Sequence, residues 1–359
     1  MEKRGFWIIA IILIGGLVLG IVIRTYFSNN DVQNSPQEGC KTLKSSPEGR
    51  VNIVFFAEKE QIERYSDFLL NIPPFNQTKD QLNFYYIDAY TPSCELYKET
   101  AILCYSKELL KEASVCPNDY LVVLKDEKRD IRSSSYMNVL SLNTAQPLSV
   151  FAHEFGHSFA NLADEYTPAT LPKRQENCKD SCTQFEDMGC FQGCSKDSYF
   201  RASSNGLMKT LSARDYGLFD SVLILKKLGN NPEVKITGKV IQEKPNCSSQ
   251  RYRLIEGTYL SGEMKIISQS IQIGCLGSNG EGGFEYKLMM KDKTASTSNF
   301  NPELIFTDNE AGGEVYESTR NFYLRIPLIE AATSLEISLE NKTISQINLF
   351  EEDSLPCQI

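Results

Sequence analysis

Residues 153–166 read His153-Glu154-Phe155-Gly156-His157-Ser158-Phe159-Ala160-Asn161-Leu162-Ala163-Asp164-Glu165-Tyr166, and the chain's 2 histidines both fall within the first five of these positions. On a helix, residues four apart share one face a turn above each other, so His153 and His157 can offer two imidazole nitrogens to a single ion. Glu154 then stands beside the ion's open position. A zinc ion with three protein ligands keeps a fourth place for water, brings that water's pKa toward neutrality and polarises a carbonyl, while a neighbouring carboxylate takes the proton. Two histidines placed at random in a chain of this size would fall four apart about once in 180 times, so coincidence is a poor account of the motif.

With no further histidine, the third ligand must be a carboxylate, a thiolate or a tyrosinate. If the helix ran on, Asp164 would sit about 10 Å along the axis from His157 at 1.5 Å per residue, out of reach. The helix must therefore stop, and Asn161 is the natural place because Asn enters the left-handed conformation at helix ends more readily than any residue but Gly. A turn there swings Asp164 back toward the ion, with Glu165 as the alternative ligand.

Outward from this motif the chain alternates strand and helix. Val51–Ala57, Asn83–Ala89, Tyr120–Lys125 and Tyr136–Leu142 are short runs rich in β-branched and aromatic residues and predict strands, while Gln61–Asn71 and Ser106–Ala113 carry helical patterns. The alternation predicts an α/β domain over residues 50–230. Ser212 with Asp215 three residues on resembles a capping box and predicts a helix running to Leu228, before Gly229. From residue 231 to 359 the pattern becomes many short alternating segments, including Arg251–Leu260, Met264–Ile273, Phe284–Met290, Phe322–Leu328 and Leu335–Leu339, and predicts an all-β sandwich.

Composition sets the class and the setting. The 359 residues are 41% hydrophobic and 23% charged, which fits a globular protein of two domains and excludes a disordered or collagenous chain. A net charge of -9 argues against nucleic acid as a partner. Phe6 to Ile23 carries no charge and predicts a transmembrane anchor over 6–27, with a cytoplasmic tail over 1–5 and a polar linker over 28–49. Lys3 and Arg4 against Arg24 favour the amino terminus inside and the bulk of the chain outside the cell, a single-pass cell-membrane protein. The 11 cysteines agree with an oxidising space. Cys178, Cys182, Cys190 and Cys194, in an insertion over 176–196, would form two nested disulfides on a pair of short antiparallel helices, the competing reading being a four-thiolate zinc site. Cys94 with Cys104 and Cys247 with Cys275 are the local pairs. Cys40, Cys116 and Cys357 compete for the unpaired place, and Cys40 could cap the metal as a latent thiolate.

The segment His153–Tyr166 resembles the zinc signature of the IgA-peptidase family, a branch of the metzincin-like metallopeptidases. Tyr199-Phe200-Arg201-Ala202-Ser203-Ser204-Asn205-Gly206-Leu207-Met208 is similar to that family's downstream Met-turn region. The resemblance covers residues 50–228 and implies a metzincin-like catalytic domain. It further implies one zinc ion on His153, His157 and Asp164, Glu154 as catalytic base, Met208 beneath the metal and a protein or peptide substrate. It also implies that Tyr136–Leu142 rims the cleft and that a tyrosine, among Tyr166, Tyr199 and Tyr216, supports the oxyanion. Ala160 stands where metzincins usually carry Gly. Two other functions compete with a membrane-anchored zinc endopeptidase: a catalytically silent surface binding protein, and a zinc hydrolase of cell-wall crosslinks.

Overall fold

In a computed structural model, residues 39–185, 188–229, 247–291, 293–308, 314–317, 320–329 and 331–349 are described. The first half runs β1 (Lys41–Lys44), β2 (Val51–Phe56), α1 (Lys59–Asn71), β3 (Leu82–Tyr86), β4 (Glu95–Tyr97), β5 (Ala101–Leu103), α2 (Lys107–Ala113), β6 (Tyr120–Lys125), β7 (Ser134–Tyr136), β8 (Val139–Asn143) and α3 (Ser149–Ala160). Successive side chains of a strand face opposite ways. Ile53 and Phe55 of β2 with Tyr120 and Val122 of β6 therefore enter one core, and Val54, Phe56, Leu121 and Val123 enter another on the reverse face. A sheet apolar on both faces must be covered on both. Helices α1 and α3 cover the first face and α2 the second. The sheet order is β1-β3-β2-β6-β8-β7, with the four inner strands parallel and both edge strands antiparallel.

Helix α3 is buried almost all round, with Phe151, Phe155 and Phe159 at one-turn intervals inside the first core. Phe155 and Phe159 pack on Tyr120 of β6 at centroid distances of 5.3 and 5.7 Å. That aromatic stripe fixes the rotation of the helix. His153 and His157 then lie on the opposite side of it, toward the cleft described below.

The second half runs β9 (Phe191–Cys194), β10 (Lys196–Arg201), α4 (Leu218–Lys227), β11 (Arg251–Leu260), β12 (Glu263–Ile273), β13 (Phe284–Met290), β14 (Lys293–Phe300), β15 (Ile305–Asp308), β16 (Glu314–Glu317), β17 (Arg320–Pro327), β18 (Ser334–Leu339) and β19 (Lys342–Asn348). Among these, β12-β11-β17 form a three-stranded sheet and β14-β13-β18-β19 a four-stranded one. Ile255, Phe322 and Leu324 from the first share one core with Phe284, Leu288 and Leu335 from the second.

These features correct the expected fold class. Instead of an α/β metzincin-like domain followed by an all-β sandwich, the described residues form a mixed α/β protein made mostly of strands: four α-helices, 36% strand and several sheets. The physical reason is that Tyr97, Leu103, Tyr136 and Met137 of the first half belong to the same core as Phe284, Phe322 and Leu335. Residues from Gly39 onward form one compact unit. The boundary at 230/231 lies outside the described residues, as do the tail, the span predicted over 6–27 and the linker up to residue 38. No helix among the described residues is long and apolar enough to cross a membrane.

Four local expectations also change. Residues 41–44, read as linker, are an edge strand paired with β3. The run 136–142 is two strands, because Met137 turns the chain at φ 53°. The cysteine insertion is a short turn, Cys182–Phe185, followed by the β9–β10 hairpin rather than two helices. Helix α4 begins at Leu218, six residues after Ser212, with Gly217 as its N-cap. Among the described residues there are five disulfides: Cys40–Cys116, Cys94–Cys104, Cys178–Cys194, Cys182–Cys190 and Cys247–Cys275. Cys40 is thus bonded, not a latent metal ligand, and Cys357 lies outside the described residues.

Candidate metal centre

The end of α3 is made by Asn161, which adopts φ 50° and ψ 37°, the left-handed conformation that the sequence predicts there. Its N–H donates to His157 O at 3.0 Å, and that of Leu162 to Gly156 O at 3.2 Å. The reversal carries Asp164 back over the helix. Asp164 Oδ1 comes to 3.0 Å from His153 Nε2 and 3.3 Å from His157 Nε2, and the two Nε2 atoms are 3.2 Å apart.

The other nitrogen of each ring is also engaged. His153 Nδ1 lies 2.8 Å from Leu207 O, and His157 Nδ1 lies 2.6 Å from Leu162 O. Carbonyls only accept, so both Nδ1 atoms carry the proton and donate, and each Nε2 keeps a lone pair aimed at the centre. Two imidazole lone pairs and a carboxylate oxygen thus converge, their ligand atoms within 4.8 Å of one another. Asp164 Oδ1 is buried and has no hydrogen-bond partner. Three acceptors crowded together repel unless a positive charge lies among them. The donor set therefore fits a small divalent cation that takes nitrogen and oxygen ligands, as zinc does.

Burial would lower the pKa of His157, but the negative charge of Asp164 outweighs this and pushes it up to about 9: the cluster draws positive charge to its centre, and an ion must displace that proton to bind. Burial would raise the carboxyl of Asp164, yet the two histidines hold it well below the usual carboxylate range. Glu154, 8% exposed, is pushed upward by burial despite its neighbouring histidines. A carboxylate with a raised pKa is a stronger base and so better suited to taking a proton from water.

Glu165 does not join the centre. Its N–H donates to Met208 O at 2.8 Å, and its carboxyl is buried without a partner for Oε2, raised to about 7 chiefly by burial. This geometry predicts that, after dialysis against zinc, Asp164→Ala holds less zinc than wild type whereas Glu165→Gln matches it, as read by elemental analysis. Loss at Glu165 alone would reverse the assignment.

Met208 is fully buried under α3. A methyl group added at Gly156 would lie 2.7 Å from Met208 Sδ and 3.1 Å from Tyr216 Cε1, so Gly156 is what lets the methionine pass directly beneath the histidine turn. Gly156→Ala is expected to destabilise the fold by about 1–2 kcal/mol, overpacking outweighing the roughly 1 kcal/mol gained in helix propensity. A thermal midpoint equal to or above that of wild type would contradict this packing.

The centre lies in a cleft of about 360 Å³ whose lining includes Glu154, Tyr166, Ser135 and Arg132, with Asn301 and Glu303 from the second half. Among the three candidate tyrosines, only Tyr166 lines it. The Tyr216 hydroxyl is fully buried and donates to Ala152 O, and Tyr199 packs beside the Cys178–Cys194 bridge. Sequence reasoning missed Arg132, Asn301 and Glu303, which no spacing ties to the histidines, and the carbonyls of Leu162 and Leu207, which no side chain could announce. No family model matches the chain, and no match was found among curated proteins.

Proposed function

We propose that the protein is a zinc-dependent endopeptidase working outside the cytoplasm. The observation that carries this reading is the convergence of His153 Nε2, His157 Nε2 and Asp164 Oδ1 on one point, with Glu154 on the same cleft wall. His153, His157 and Asp164 would hold the ion, which when bound lowers the pKa of a water and polarises the scissile carbonyl. Glu154 accepts the proton of the attacking water and returns it to the leaving amine, a shuttle favoured by its upward-shifted pKa. Tyr166 faces the cleft with its hydroxyl kept protonated, burial and Asp164 both raising its pKa, and donates to the oxygen on which charge develops. Asp164 stays ionised over the whole working range because the two histidines hold its carboxyl down.

An extracytoplasmic setting is supported by the five disulfides, which persist in oxidising spaces. Zinc content and cleavage of a mixed protein substrate test the reading together. Stoichiometric zinc with chelator-sensitive cleavage is the expected result. Stoichiometric zinc without cleavage of any peptide would remove the peptidase, leaving a metal-holding surface protein or a hydrolase of other bonds.

A further inference from the structure

Asp164 lies beyond the end of α3, so no helical hydrogen bond fixes it, yet its carboxylate must meet two imidazoles held on a rigid helix. Its backbone is gripped instead by the cysteine-rich insertion. Asn177, fully buried, accepts from Ala163 N at 2.7 Å through Oδ1 and donates to Ala163 O at 2.9 Å through Nδ2. Ser195 donates its hydroxyl to Asp164 O at 2.7 Å and is 1% exposed. Glu165 N–H is held by Met208 O, so three consecutive residues are clamped in turn.

Asn177 and Ser195 are the immediate neighbours of Cys178 and Cys194, which are bonded to each other, and Ala163 packs against that cystine in a small core of its own. The bridge joins the two clamps at their roots. Outside it, Cys182–Cys190 closes a separate eight-residue step on the exposed side of the insertion, with no hydrogen bond to residues 163–165 among those described.

We infer that Asn177 and Ser195 are positioning residues for the third metal ligand and that the Cys178–Cys194 cystine holds them in register, so that metal affinity depends on this disulfide and not on Cys182–Cys190. The inference rests on the metal reading above. Groups that orient a ligand without touching the ion typically change affinity tenfold to a hundredfold when removed.

The test uses the full chain, stripped of metal with a chelator and titrated with cobalt(II), whose visible bands report ligand number and geometry. Ser195→Ala and the double variant Cys178→Ala/Cys194→Ala should bind cobalt roughly tenfold to a hundredfold more weakly, with altered bands. Cys182→Ala/Cys190→Ala should match wild type in both. A general loss of stability would not move the bands of the folded fraction, and far-ultraviolet circular dichroism identifies that fraction. If the inner double variant does not fold, Ser195→Ala carries the test. Wild-type affinity and bands in a folded Ser195→Ala would overturn the clamp. Failure of the wild type itself to bind cobalt or zinc would instead overturn the metal reading, a distinguishable result.

Discussion

Glu154→Gln should keep its zinc and lose its activity. Glutamine preserves the shape of the side chain and one acceptor oxygen but cannot take a proton from water, so only proton transfer is removed. General-base catalysis of this kind contributes about 10²–10⁴-fold, and kcat/KM on a cleaved peptide should fall by that factor, about 3–5 kcal/mol of barrier. Stability should move the other way. Burial raises the folded-state pKa of Glu154 above that of the unfolded chain, so its contribution is favourable only at acid pH and is lost as pH rises through the folded value. At neutral pH the ionised carboxylate costs stability that glutamine does not. The thermal midpoint of the zinc-free variant should therefore equal or exceed that of zinc-free wild type. Activity within tenfold of wild type would remove Glu154 from the role of base.

Why the centre was legible and much of its surroundings was not follows from where the information lies. His153, Glu154 and His157 are related by helical geometry alone, and Asn161 marks the helix end by its own conformational preference, so residues 153–164 could be read without tertiary knowledge. Strands β2 and β6 were equally plain because both their faces are apolar. The insertion misled because cysteines four apart fit a helix as well as a hairpin. Gly193 at φ 84° and Ser195 at φ 56° turn the chain between β9 and β10 and decide for the hairpin. Ser212 and Asp215 imitate a capping box, yet Asp215 Oδ1 accepts from Gly217 N in a turn just before α4. That the second half shares a core with the first was not legible, because alternation in strands 251–339 shows that a face is buried but not what buries it. The partners include Tyr97, Leu103, Tyr136 and Met137, distant in the sequence.

The same shared architecture makes Arg325 the position outside the centre where one substitution should cost most. Arg325 lies on β17 and is 1% exposed, yet its guanidinium reaches across to the first half. It donates to Asn118 Oδ1, just after α2, and to Ser278 O at 2.6 Å, while its backbone N–H and carbonyl are both satisfied by the Asn279 side chain. Burial drives the guanidinium pKa down, and nearby Tyr252, Tyr105 and Asp119 counter this. Asp119 in turn accepts from Asn52 N and Nδ2 at 2.8 and 2.9 Å, which extends the network to β2. Replacing Arg325 by Met fills much of the volume but leaves Asn118 Oδ1 and Ser278 O without their donor. Each buried acceptor left unpaired costs about 1–3 kcal/mol. Because the cores interlock, that loss should lower the denaturation midpoint of the whole described unit in one transition, seen alike by near- and far-ultraviolet circular dichroism. Two separated transitions, or a loss below about 1 kcal/mol, would mean that the second half carries its own stability and that Arg325 does not join it to the first.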